Sequence, residues 1–236
     1  MYKYSYILMI ALLFLFSIFW SFMNGRPDLL DLYGGVPYFG NWYVILLNYF
    51  LFSCYSFVVF NKSDKYISGY GIYVVLRVQS KMKMITQVIY QTFIFVVVCE
   101  FMKVVIYIFT LLIVYRHFYL ENVFIFINMF FIHTLFLFIF LLLQIILELF
   151  VDSKLALTFV QITYLLLIPM SDFMNKIIGE NYLNLLFLPN ILMYKRLESF
   201  YTFDLLHICL LYILFLLSFF LLVLITKKCV HKKNWL

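Results

Sequence analysis

From Val123 to Leu147 the chain reads VFIFINMFFIHTLFLFIFLLLQIIL, without a single Asp, Glu, Lys or Arg. A helix rises about 1.5 Å per residue, so a run of this length crosses a hydrocarbon layer of about 30 Å. Inside lipid no water is present to satisfy backbone N–H and C=O groups, and a helix satisfies them within the segment. Comparable runs occur at 5–23, 43–60, 88–114, 155–171 and 205–226. The fifth of the six is short and ends around Pro169, so it is expected either to tilt little or to stop early. With a mean hydropathy of +1.05 and 67% hydrophobic residues, the chain lies far outside the composition of soluble domains. The expected fold class is all-α: one polytopic membrane domain over 1–236, with almost nothing left for a soluble one.

The first run, Tyr6–Met23, follows only Lys3 as a cation and leads to no small-x-small cleavage site, so it reads as a retained first span. Cys54, Cys99, Cys209 and Cys229 are scattered, with the spacing of neither a disulfide framework nor a metal site. The net charge of +6 has a simpler use in a membrane chain than nucleic-acid binding, namely orientation and attraction to anionic headgroups.

Orientation follows from where the 17 basic residues fall. With the N-terminus inside, the inner segments hold Lys3, Lys62, Lys65, Arg77, Lys81, Lys83, Lys154, Lys227, Lys228, Lys232 and Lys233. These outnumber Arg26, Arg116, Lys176, Lys195 and Arg196 on the outer side by about two to one, which puts both termini in the cytoplasm. Outside lie the turn-rich first connection, 24–42, a tight hairpin at 115–122, and a half-apolar loop over 172–204. A loop so rich in Leu, Phe and Tyr is expected to form short helices that dip into the interface or cover the bundle.

The inner connection at 61–87 gathers the cations most densely. Read as a helix from about Ile72, it places Val74, Val75, Val78, Met82, Ile85 and Ile89 on one face. Arg77, Gln79, Ser80, Lys81 and Lys83 spread over the remainder, giving an interfacial helix that runs into the third span. Amphipathicity alone fits a lipid anchor and a docking surface for a cytoplasmic protein equally well.

Polar residues inside the spans are the other candidates, because each is costly there. Glu100 and Lys103 are three residues apart and share a helix face, continued by Tyr107 and Thr110. Such a pair either fixes helix packing or lines a conduit or subunit interface. In the fourth span His133, Gln144 and Glu148 fall roughly on one face, with Glu148 and Asp152 near the cytoplasmic end. Catalysis finds no support at these positions. The chain has no HExxH, no Gly-x-Ser-x-Gly elbow and no Gly-rich phosphate loop ending in Lys-Ser or Lys-Thr. The two halves also lack the matching broken helices of inverted-repeat transporters.

Six spans, both ends inside, a basic amphipathic loop before span three and a half-apolar outer loop before span six form a recognisable set. The layout resembles the membrane subunit of a six-span, type-2 ABC exporter, of the small bacterial kind associated with antimicrobial-peptide export and bacteriocin self-immunity. GYGIYVVLRVQSKMKM is similar to that family's glycine, aromatic, strand-like, basic stretch leading into span three. FLPNILMYKR, at Phe187–Arg196, is similar to its apolar-Pro-Asn-x-x-Met-x-x-Arg stretch in the last outer loop. Met82 and Met84 stand where an aromatic residue commonly follows the basic pair.

The resemblance implies a non-catalytic membrane subunit in a bacterial plasma membrane, with no cofactor of its own. It implies two separate ATP-binding cassette proteins that hold ATP and magnesium, and a second membrane subunit, identical or a sister. Arg77, Gln79, Ser80, Lys81 and Lys83 would then couple to the ATPase, and the substrate would be an amphipathic peptide or lipid-like molecule. The alternative is an immunity or scaffold protein that binds its partner within the bilayer and needs no ATPase.

Overall fold

The computed structural model describes residues 2–24, 28–62, 81–117, 119–120, 122–178, 187–198 and 205–232. Its elements are α1 (Tyr2–Asn24), a 3₁₀ turn (Leu29–Tyr33), α2 (Trp42–Val59), α3 (Lys81–Tyr115), α4 (Val123–Glu148), α5 (Ser153–Ile178), the short α6 (Leu188–Ile191) and α7 (Tyr194–Leu197), and α8 (Leu205–Lys232). Among the described residues the only strand-like feature is an isolated bridge between Asp28 and Tyr119. The protein is all-helical.

Among the described residues, five helices are long and apolar enough to cross a membrane: Trp42–Val59, Ile85–Tyr115, Val123–Glu148, Ser153–Ile177 and Ile208–Thr226. In α1 the apolar stretch of this kind is the shorter Met9–Ser21. Of the two readings of the fifth span, the early stop is not observed: α5 continues through Pro169 to Ile178. Proline removes one N–H bond to the preceding turn. The Ile168 carbonyl in this turn accepts from the Ser171 hydroxyl within the helix (2.9 Å) and from the Arg196 guanidinium outside it (3.4 Å).

Contacts between helices fix their directions. Asn48 meets Tyr164 and Ser53 meets Gln161, so α2 and α5 are antiparallel. The Tyr115 hydroxyl donates to the Ser21 carbonyl, so α1 and α3 run the same way. Phe136 touches Phe215 and Phe138 touches Phe219, so α8 follows α4 and brings its lysine-rich end to the Glu148 side.

The bundle therefore has two unlike ends. At one end the connections are stitched into a cap: the Leu29 N–H donates to the Tyr119 carbonyl, and the Lys195 N–H to the Gly34 carbonyl. Gly35 has φ +64 and lies where a Cβ would run into Met193, so this crossing requires glycine. The other end carries Lys62, Lys81, Lys83, Lys154 and the last turns of α8.

The core between these ends is largely aromatic. Phe52 stacks on Tyr164 at 4.0 Å and meets Phe140 edge-on at 5.6 Å, locking α2, α4 and α5 together. Helix α4 is central, with 67% of its apolar window buried, whereas α8 is peripheral at 17%.

Candidate functional site

Glu100 sits at the middle of the Ile85–Tyr115 run and is fully buried. Its Oε1 accepts from the Tyr55 hydroxyl at 2.6 Å. Its Oε2 lies 2.6 Å from Lys103 Nζ and 3.1 Å from His133 Nδ1. Four elements thus converge on one carboxylate. Helix α3 supplies Glu100 and Lys103, α2 brings Tyr55, α4 brings His133, and the 3₁₀ turn lays Tyr33 alongside. Lys103 Nζ is 4.5 Å from the centre of the Tyr33 ring, and that ring is 5.2 Å from His133.

The physical reason for this convergence is cost. A lone charge at mid-membrane costs about 2.5–3.5 kcal/mol on insertion scales. The ion pair lowers that cost, and the Tyr33 ring face gives the ammonium a further favourable surface. The Lys103–Glu100 contact is close but poorly aligned as a hydrogen bond, so charge is what holds it. His133 Nδ1 likewise lies 3.1 Å from Oε2 without hydrogen-bond alignment.

One turn from Lys103 toward the capped end, Tyr107 is fully buried, and its hydroxyl has no hydrogen-bond partner among the described residues. It lies within electrostatic reach of Asp31, Tyr115 and Asp28. The Tyr33 hydroxyl is likewise buried without a hydrogen-bond partner among the described residues, and feels Glu100.

Gln144 and Glu148 form a second group, displaced from His133 along α4 by about 16–22 Å. The Ser56 hydroxyl donates to Gln144 Oε1 at 2.6 Å, and Gln144 Nε2 donates back to the Ser56 carbonyl at 3.2 Å. Glu148 Oε1 accepts from Gln144 Nε2 at 3.3 Å and from the Asn61 backbone N–H at 3.0 Å. Glu148 thereby closes the end of α2. Asp152 is exposed beyond it. Lys62 is buried next to this group with Nζ 5.0 Å from the Phe95 ring centre, in reach of Cys99 and Glu148. Burial lowers its amine to about 8, against the opposing pull of those neighbours.

Glu100, Lys103 and His133 therefore meet, Tyr107 stands above them, and Gln144 with Glu148 stands below. Arg77, Gln79 and Ser80 lie outside the described residues, as does most of the expected amphipathic helix. Lys81 and Lys83 form the first turn of α3.

A family model described as "Protein of unknown function (DUF2705)" matches residues 4–229. The chain belongs to that family. The match takes in the whole bundle, from the start of α1 to near the end of α8, so both polar groups lie within it. No curated protein and no solved structure matches this DUF2705 chain significantly.

Sequence reasoning missed several of the residues that complete the DUF2705 site. Tyr55 and Tyr33 look like two more aromatics in a chain that has 20 tyrosines. Nothing local marks them, because their partners lie on other elements. A usable signal did exist for Arg196, a cation seated in an apolar stretch. It is fully buried and donates to the Val36 carbonyl (2.7 Å) and to Asn190 Oδ1 (2.8 Å), pairing with Asp172 at 2.9 Å. It also donates to Ser171 and lies 4.7 Å from the Tyr38 ring centre. In the sequence it stood as an outer charge and as the last residue of FLPNILMYKR.

Proposed function

We propose that this DUF2705 protein is the membrane-spanning subunit of an ATP-driven ABC transporter that exports or clears an amphipathic peptide or lipid-like substrate. The observation that carries the reading is α3. It is one unbroken helix of 35 residues, about 52 Å long, and it starts at Lys81, within the basic segment. It passes the mid-membrane ion pair at Glu100 and reaches the cap at Tyr115, which is bonded to α1. A displacement at the basic end of such a rod is felt at both places. Cations concentrated at that end favour a cytoplasmic position for it, with α1 as a sixth span and both termini inside a bacterial plasma membrane. Magnesium and ATP belong to the partner ATPase in this reading, and the membrane subunit is one of two.

The reading is tested by reversing charge where the push would enter. Arg77 and Lys81 are four residues apart and suited to carboxylates lining an ATPase groove. Arg77→Glu with Lys81→Glu is expected to abolish ATPase stimulation and peptide resistance, while the protein still inserts at normal levels. The remaining cations at Lys62, Lys65, Lys83 and the C-terminus keep its orientation. A lipid anchor behaves differently: each lost cation weakens surface attachment by about 1 kcal/mol, in anionic membranes alone. Full resistance and full stimulation in the double reversal contradict the proposal.

A second reading, an immunity or scaffold protein acting without an ATPase, draws support from the packed centre of the bundle. Phe52, Phe140 and Tyr164 fill the space between α2, α4 and α5, so the surfaces offered to a partner are the outward helix faces.

A further inference from the structure

We infer that Lys62 is the centre of a binding site for a phosphate group, carried by an anionic membrane lipid whose head lies at the basic end of the bundle. Such a site needs a membrane and no ATPase. Lys62 follows α2, and its place is built by the residues before it. The Phe60 N–H donates to the Ser56 carbonyl at 3.0 Å, and Asn61 then turns the chain at φ 58, a left-handed conformation that Asn adopts more readily than most residues. Glu148 Oε1 accepts from the Asn61 N–H at 3.0 Å, and the Ser153 hydroxyl donates to Asn61 Oδ1 at 3.3 Å. Helices α2, α4 and α5 thus fix the residue before Lys62. The lysine side chain reaches α3, where Nζ stands 5.0 Å from the centre of the Phe95 ring. Only 8% of Lys62 is exposed.

This ammonium stands apart because it lacks a close counter-charge. Among the described residues, the other buried or partly buried Lys and Arg side chains each meet a carboxylate: Lys103 meets Glu100 at 2.6 Å, Arg196 meets Asp172 at 2.9 Å, and Lys195 meets Asp31 at 3.6 Å. Lys62 has no ion pair and no hydrogen bond among them. Glu148 is in electrostatic reach, but its carboxylate is engaged by the Asn61 N–H and by Gln144 Nε2. Burying a charge is expensive unless an opposite charge meets it, and one aromatic face offsets only part of the cost. The nitrogen also stays reachable. Lys103 Nζ is completely enclosed, and Lys62 Nζ is not. Burial lowers the Lys62 amine to about 8, so at neutral pH it still carries the charge that an anion would meet.

Place decides the chemistry of that anion. Lys62 lies at the end of the bundle that also holds Lys81, Lys83 and Lys154, just past Val59, where α2 ends. Headgroups begin where spanning helices end, and clustered cations there attract anionic lipids. A phosphodiester brings one full negative charge and several acceptor oxygens to the three N–H groups of an ammonium. Its acyl chains stay in the hydrocarbon, so the counter-charge arrives from within the membrane.

The test follows thermal unfolding of the full chain in a sugar-headgroup detergent, which carries no phosphate. Phosphatidylglycerol or diacylglycerol with the same acyl chains is titrated in. A ligand that binds the folded state raises the melting temperature as its concentration rises. Phosphatidylglycerol is expected to raise it for the wild type and for Lys62→Arg, and diacylglycerol to leave both unchanged. Without lipid, Lys62→Met should melt no lower than the wild type, because it loses a charge that has no close partner. Its apparent Kd for phosphatidylglycerol should rise at least about thirtyfold. Lys154→Met, which removes an exposed cation at the same end, should keep most of the response. Inorganic phosphate at millimolar concentration separates the sources of the group: no response supports the lipid, and a response equal to that of phosphatidylglycerol overturns the lipid as its carrier. Equal responses of Lys62→Met and wild type to phosphatidylglycerol overturn the site. So does a Lys62→Met protein that melts below the wild type without lipid, since the chain's own carboxylates, Glu148 or Asp64 outside the described residues, would then already balance the charge.

Discussion

Replacing Glu100 alone by Leu is expected to cost about 3–5 kcal/mol of stability, more than replacing Glu100 and Lys103 together. The single change leaves an ammonium buried at mid-membrane, 4.5 Å from the Tyr33 ring centre, with its carboxylate gone. The Tyr55 hydroxyl and His133 lose their partner at the same time. The double change Glu100→Leu with Lys103→Leu leaves no uncompensated charge, only the Tyr55 hydroxyl and the His133 imidazole without the carboxylate, each at a cost of about 1–3 kcal/mol. Adding Tyr55→Phe should recover part of that remainder. Thermal unfolding in detergent reads the series. Residues that act as a unit give strongly non-additive values. Additive losses from the two single changes would mean that the pair does not interact.

Arg196→Met is expected to produce a loss of similar size, about 3–5 kcal/mol, confined to the capped end. The guanidinium ties three stretches together: Val36 in the first connection, Ile168 to Asp172 in α5, and Asn190 in α6. Removing it strands the Asp172 carboxylate and frees the turn around Pro169 from its outside support. Arg196→Lys should rescue little, because a point charge on a flexible stem cannot reach the Val36 carbonyl and Asn190 together. Amide hydrogen exchange should accelerate at 28–36 and 188–197 and stay unchanged in the middle of α4. Lysine behaving as wild type would show that charge alone holds the cap.

Hydropathy made the long helices legible, since a run such as Val123–Leu147 has few alternatives in lipid. The Glu100–Lys103 pair was legible for a related reason: two charges three residues apart stand out in an apolar helix. What joins them was not. Tyr55, Tyr33 and His133 reach Glu100 from different elements, and a periodicity argument sees only one element at a time. His133, Gln144 and Glu148 share a face of α4, but shared azimuth says nothing of depth, and they divide between two separate groups. An early stop of α5 was one of two readings because Pro169 was weighed by its local penalty. A contact that supports the turn comes from Arg196, 27 residues later; the half-apolar loop announced short covering helices but not which residue of α5 they would hold.

The transporter reading stands or falls on a partner. The direct measurement is affinity purification of the tagged chain from gently solubilised bacterial membranes, followed by identification of what remains bound. The expected result is an ATP-binding cassette protein in stoichiometric amount, whose ATP hydrolysis rises in the presence of the chain and which crosslinks to a cysteine placed at Ser80 with a yield that changes on ATP binding. Recovery of the chain with no ATPase, and no crosslink in any nucleotide state, would contradict it and leave the scaffold reading in its place.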